Sequence, residues 1–158
     1  MKHADIPREF NDLTDRVIGC AIEVHRHLGP GLLERLYETA LLHELDLAGI
    51  EADRQVEITV PYKGLTLSGQ RADLVVGGAL VLELKAVEAV SDVHLAQLVS
   101  YIRSGGYPLG ILINFHVPVL RKGLCRRINP SVITPSPSRS GSVSSASPRS
   151  VSSHERPA

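Results

Sequence analysis

At Gly49 the recurrence of apolar residues changes from every third or fourth position to every second, which calls for helices before it and a sheet after it. Before Gly49, Phe10, Leu13, Val17, Cys20, Ala21, Val24 and Leu28 form one helical stripe that starts near Pro7, a residue tolerated in a first helical turn. Gly29-Pro30-Gly31 ends that stripe. A second helix is expected from about Leu32 to Ala48, with Leu33, Leu36, Tyr37, Ala40, Leu41 and Leu45 on its apolar face and Gly49 where a left-handed cap falls. After Gly49, Val56, Ile58, Val60 and Tyr62 alternate with Glu57, Thr59 and Pro61, a strand whose proline marks an edge or an end.

Lys63-Gly64 turns the chain into a second extended stretch, Leu65 to Val76, with a break expected at Gly69. Gly77-Gly78 turns it again, and Ala79 to Ala86 reads as a third strand. Ser91 can cap a helix that continues to Ser104. The run LGILINF, Leu109 to Phe115, suits a strand covered on both faces. Val119 to Ile128 is expected as a last strand carrying Arg121, Lys122, Arg126 and Arg127. The order helix, helix, three strands, helix, two strands describes a mixed sheet with helices packed on it, an α/β or α+β architecture. A chain of 158 residues suits one domain, placed here at residues 1–129. From Pro130 onward the chain is mostly Ser, Pro and Arg and cannot bury enough apolar surface to offset its ordering entropy, so residues 130–158 are expected to be a disordered tail.

Charge and composition narrow the function. Lysine and arginine number 17 and so do aspartate and glutamate, so no global field attracts a polyanion, which leaves room only for a local phosphate site. Aromatic residues make up 4% and Trp is absent, which argues against stacking platforms for bases. Cys20 and Cys125 fit no metal-ligand spacing and are expected as free thiols. His25 and His27 stand two apart on a helix and do not face each other, so zinc is not expected there. The first residues lack an apolar signal core and no run is long enough to span a bilayer, so no membrane association and a cytoplasmic location are expected.

The chemistry centres on Asp73, Glu83 and Lys85. Side chains alternate along a strand, so Glu83 and Lys85 share a face while Leu82 and Leu84 point the other way. A carboxylate and an ammonium inside VLELKA are costly to bury without partners or purpose. A two-residue turn at Gly77-Gly78 sets Asp73 opposite Leu82, on the wrong face. A three-residue loop, Gly77 to Ala79, sets it opposite Glu83. Two carboxylates on adjacent strands suit Mg²⁺ or Mn²⁺, hard cations that keep several waters. Lys85 beside them can orient a water or stabilise charge on phosphorus, with the Leu84 carbonyl as a third ligand. The same side chains also describe an ordinary cross-strand ion pair. Glu34 and Glu38 share a helix face, and either can supply a further carboxylate. His94, Gln97 and Tyr101 form a polar stripe that can border a cleft. Arg121, Lys122, Arg126 and Arg127 read equally as phosphate contacts or as a solvated basic strand.

Taken together, GPGLLERLYE, Tyr62-Lys63-Gly64, RAD, LELKAV, HLAQLVSY and LINF occur in an order that resembles the GxxExxY family of the PD-(D/E)xK nuclease-like superfamily, over about Val17 to Ile128. Gly31, Glu34 and Tyr37 match the residues in that family's name. The resemblance implies a restriction-endonuclease-like mixed central sheet flanked by helices. It implies a catalytic core of Asp73, Glu83 and Lys85, Glu34 near the metal, and Gln97 with Tyr101 as the QxxxY element of the exonuclease-like branch. Ala72 stands where the superfamily motif has proline. The expectation is a Mg²⁺- or Mn²⁺-dependent nuclease acting on DNA ahead of RNA. Asp73, Glu83 and Glu34 would hold the metal, Gln97 would complete the pocket, and Tyr101, Arg121 and Arg126 would touch substrate. The alternatives are a catalytically silent module that binds nucleic acid or a protein on the same fold, and an assembly role as a homodimer.

Overall fold

The structure is a computed structural model, and it describes residues 6–133. Helices α1 (Arg8–Leu28) and α2 (Glu34–Leu47) open the chain. Strands β1 (Ala52–Tyr62), β2 (Leu65–Val76) and β3 (Leu80–Lys85) follow, then helix α3 (Asp92–Ser104), strand β4 (Leu109–Asn114), strand β5 (Leu124–Ile128) and a single helical turn, α4 (Pro130–Ile133). The five strands form one sheet in chain order, with β1 and β5 as its edges. Pro61 therefore sits on an edge strand, where a missing N–H is tolerated.

Neighbouring strands are antiparallel except β3 and β4, which run parallel and are joined through α3. A parallel pair needs such a crossover, and it lays α3 on one face of the sheet. Leu98, Tyr101 and Ile102 of α3 pack there against Ala72, Val75, Val81 and Leu112. On the other face, Val17, Ala21 and Val24 of α1 and Tyr37, Leu41 and Leu45 of α2 pack against Leu74, Leu82, Leu84 and Ile111. The result is three layers, helix–sheet–helix, with both faces of β4 buried as its unbroken apolar run requires. At Gly110, a Cβ would come within 2.7 Å of Leu98 Cδ1 and 2.8 Å of Ile102 Cγ2, so the missing side chain is what lets α3 lie close on β4.

Some local expectations change. Leu33 and Leu36 are not part of the inward stripe of α2 and are 62% and 44% exposed. The inward line runs through Tyr37, Glu38, Leu41 and Leu45; Leu33 precedes the first turn, and Leu36 is rotated about 100° from Tyr37. β2 is not broken at Gly69. Between Ile58 and Val60 β1 advances two residues while its partners go from Gln70 to Leu67, so β2 carries one extra residue as a bulge at Gly69, whose φ is 105°. The last strand begins at Leu124, because Leu120–Gly123 form a 3-10 turn that takes Arg121 and Lys122 out of the sheet. The tail expected from Pro130 starts with the helical turn of α4; residues 134–158 lie outside the described residues. Cys20 and Cys125 are free and belong to cores on opposite faces of the sheet. Among the described residues no helix is long and apolar enough to cross a membrane.

One tyrosine fixes how α2 enters the fold. The Tyr37 hydroxyl donates to the Gly29 carbonyl at 2.5 Å and accepts from the Leu32 N–H at 3.1 Å. Its ring stacks on Phe115 with centroids 4.4 Å apart. The Gly-Pro-Gly loop is thus tied to the core by a residue three positions after Glu34. Tyr37→Phe keeps the stack and removes both hydrogen bonds, and should lower unfolding free energy by about 1–3 kcal/mol. Urea denaturation checks this, and an unchanged midpoint would show that the loop holds itself.

Candidate active site

Two adjacent strands change faces at the same place. In β1, Ala52 packs toward α1 and α2, whereas Val56 and Ile58 pack toward α3. In β2, Val76 and Leu74 face α1 and α2, whereas Ala72 faces α3. Strict alternation would leave each set on one face. The breaks fall at Gln55 and Asp73, which stand between the paired residues Arg54↔Leu74 and Val56↔Ala72. Gln55 has φ 51°, a left-handed conformation that costs a residue with a Cβ on the order of 1–3 kcal/mol. Because both strands turn over together, the register on either side is preserved.

The β2–β3 ladder pairs Val76 with Leu80, Val75 with Val81 and Leu74 with Leu82. That register needs the three-residue loop Gly77 to Ala79, and its next step sets Asp73 opposite Glu83. The ladder ends there. Asp73 Oδ2 accepts the Leu84 N–H at 2.7 Å, so the carboxylate takes the donor that a further rung would have used. Asp73 Oδ1 accepts a long 3.5 Å bond from Gln55 Nε2, and the same amide donates to Glu38 Oε2 at 3.1 Å. Arg54 Nε donates to the other oxygen of Glu38. Of Glu34 and Glu38, Glu38 is therefore engaged in a part-buried network, and Glu34 is the one left half-buried at the first turn of α2.

Glu83 and Lys85 lie on the α3 face of β3. Lys85 Nζ donates to Glu83 Oε1 at 2.6 Å. Glu83 is 3% exposed, and its Oε2 is buried with no hydrogen-bond partner among the described residues. Above them on α3, Gln97 Nε2 donates to the Tyr101 hydroxyl at 2.7 Å. His94 turns instead to the helix end, where it and Ser91 close a reciprocal capping box.

Burial sets the electrostatics. It pushes the Glu83 carboxyl up to about 7, against the Lys85 hydrogen bond and with the help of the Asp73 charge. Asp73 is also raised by burial, although the Leu84 N–H and Lys85 oppose this. Glu34 is raised by burial, opposed by Lys85, with Asp73 adding to the rise. Burial alone would lower Lys85, but its hydrogen bond to Glu83 and the charges of Glu83, Glu34 and Asp73 outweigh it, and the ammonium is held above its usual range. Tyr101 is raised by burial and then by Glu83. Three carboxyls, an ammonium and a phenol thus sense one another across β2, β3, α2 and α3.

Among the described residues no three His, Cys, Asp or Glu side chains converge as a ready cage for a metal ion. The donors do fit a hydrated hard cation. They are carboxylate oxygens, one of them buried without a partner, and such a cation needs only one or two protein carboxylates when waters complete its shell. Arg121 and Arg126 are not brought here. Arg126 points to the α1 face, where it donates to Asn11 Oδ1 at 3.0 Å, and Arg121 lines a cavity with Ile22, His25 and Arg26 of α1. Sequence reasoning did not single out Gln55 or Arg54. Nothing in the residue pattern marks a glutamine just before an expected strand as the one that turns the strand over.

A mixed sheet covered by helices on both faces, with two carboxylates and a lysine where its strands part, defines a restriction-endonuclease-like α+β fold. The family model of the PD-(D/E)XK nuclease superfamily matches residues 11–128, and the chain belongs to that superfamily. No curated protein and no solved structure matches it.

The raised carboxyls have a consequence for stability. Between 4.5, the ordinary glutamate value, and about 7 the folded protein holds a proton on Glu83 that the unfolded chain has released, so stability falls as pH rises through that interval. Asp73 and Glu34 act in the same direction. With chelator present, the melting temperature should be higher near pH ~5 than near pH ~7.5, and Glu83→Gln should flatten the profile. A wild-type melting temperature that is level or rises over this range would contradict the assignment.

Proposed function

We propose that the chain is a metal-dependent phosphodiesterase that cleaves DNA, and that it is a GxxExxY-type member of its superfamily. The observation that carries the reading is the unpartnered, buried Oε2 of Glu83, set beside Lys85 and Asp73 where β2 leaves β3. An oxygen so placed loses its hydration without recovering a donor, a cost expected of a ligand position rather than of a structural ion pair. The superfamily's name gives the substrate class, nucleic acid. The GxxExxY assignment rests on Gly31 with φ 102°, Glu34 at the start of α2 and Tyr37 bonded back to the loop between them.

Asp73 and Glu83 would hold Mg²⁺ or Mn²⁺, with Glu34 and the Leu84 carbonyl within the same part of the site. Such a cation, when bound, supplies a Lewis acid and lowers the pKa of a coordinated water. Lys85 is held protonated by the surrounding carboxylates, so it presents a fixed positive charge where charge develops on phosphorus. Asp73 arrives oriented by the Leu84 N–H and Gln55. Gln97, anchored to Tyr101, has its carbonyl oxygen available to orient a water, and the Tyr101 hydroxyl is close enough to sense the Glu83 charge. A second reading is a binding module without cleavage, favoured by the engagement of both Asp73 oxygens.

Cleavage of single- and double-stranded DNA with Mg²⁺ or Mn²⁺ separates the two. Asp73→Ala, Glu83→Gln and Lys85→Ala should each lower the rate by about 10²–10⁴-fold, and Gln97→Ala by about 10–100-fold. No cleavage with either metal, together with DNA binding that all four variants retain, would leave the binding module.

A further inference from the structure

Beyond the carboxylate cluster, the α3 face of the sheet carries a second concavity, with an apolar floor that includes Leu95 and Ala96 and arginines at its rim. Between α3 and β5 lies a cavity of about 500 Å³, lined by Val99, Ser100, Arg103 and Ser104 of α3 and by Arg127 of β5. No carboxylate lines it. Arg103 has no side-chain hydrogen bond or ion pair among the described residues, as is also true of Arg35, Arg71 and Arg121, but it alone of these shares a concavity with Arg127. Among the described residues the Arg127 side chain donates only to the Arg126 carbonyl, at 2.8 Å. Two guanidinium groups and two hydroxyls thus line one concavity with no counter-charge in a chain whose net charge is zero.

The register ties this groove to the site. Arg127 pairs with Gly110, and Cys125, two residues away on the same face, packs in the α3-side core. Arg127 therefore projects from the face that carries Glu83 and Lys85. Leu98 and Ile102 of α3 close over Gly110, so the groove lies beside that contact, along the line from α3 to Arg127. Lys85 pairs with Asn114, four residues along β4 from Gly110. Four strand residues and two strand spacings put Arg127 about 16 Å from Lys85. Successive phosphates of a duplex strand stand well beyond their axial rise of about 3.4 Å, because the strand winds around the axis, so that distance spans only a few phosphates.

We propose that this groove is a phosphate-backbone subsite, in which Arg103 and Arg127 hold the nucleic-acid strand a few phosphates from the bond cleaved at Lys85. The assignment rests on the nuclease reading for the position of that bond, but not for the binding itself. Arg103 in the last turn of α3 also complements the helix dipole, which accounts for its place on the helix but not for its meeting Arg127.

The test measures anisotropy of fluorescein-labelled DNA of about 20 nucleotides, single-stranded and duplex, with Ca²⁺ as the divalent ion and salt varied. Arg103→Glu/Arg127→Glu should weaken binding by at least ~10-fold and reduce the salt slope by about 1.8, and Arg103→Gln/Arg127→Gln should reproduce the slope change should the reversal fail to fold. Cleavage of bis(p-nitrophenyl) phosphate, too small to reach the groove, should be unchanged. Wild-type binding with the same affinity and slope in both double variants overturns the subsite and leaves the nuclease reading standing. Groove-dependent binding without cleavage of any substrate supports the subsite and removes the nuclease reading. Wild-type protein that neither binds nor cuts DNA overturns both.

Discussion

The bond from the Leu84 N–H to Asp73 Oδ2 is the contact on which the rest of the site depends. A strand N–H in the interior must find an acceptor, and the ordinary one is the carbonyl of the next strand. Here a side chain supplies it, so the ladder can stop without leaving the donor bare. Stopping it opens the sheet between β2 and β3 at the level of Glu83, and that opening is where the carboxylates, Lys85 and the start of α2 come together. A hydrogen bond to an ionised acceptor contributes about 1.5–3 kcal/mol, enough to fix Asp73 before any ligand arrives. Asp73 is therefore a structural residue as well as a candidate ligand.

The cost of this arrangement falls on Glu83 and Gln55. Glu83 is charged only against its burial, and one of its oxygens has no donor. Gln55 holds a backbone conformation that favours glycine. Each is unfavourable by itself, and both persist because the layers around them are close-packed. Leu82 and Leu84 are sealed under α1 and α2, while Leu98, Tyr101 and Ile102 seal the α3 side. Strain at Gln55 and desolvation at Glu83 meet where β2 leaves β3, and such a coincidence is more often found at functional sites than elsewhere.

Much of this was legible in the residue pattern, and the reasons are local. The two helices, the strands and α3 follow from spacing alone, and the three-residue loop Gly77 to Ala79 settles which residue faces Glu83. What escaped depends on tertiary geometry. The paired reversal at Gln55 and Asp73 breaks alternation in both strands at once, so neither strand's pattern shows it without the other. Arg126 and Arg127 are neighbours in one strand, and only the position at which β5 begins, after the turn Leu120–Gly123, decides which of them faces α3. Leu33 and Leu36 carry the right residue type for an inward stripe but the wrong angle for this one.

The two faces of the sheet consequently have different work. The α1–α2 face is a scaffold: it buries Tyr37, Phe115 and the leucines, and it engages Arg126 with Asn11. The α3 face holds Glu83, Lys85, the Gln97–Tyr101 pair and the groove of Arg103 and Arg127. A chain with no net charge cannot gather a polyanion by its overall field, so any attraction must come from how its charges are sorted between surfaces. One residue of offset in β5 contributes to that sorting, because it points Arg126 into the scaffold and Arg127 toward the face where the carboxylates stand.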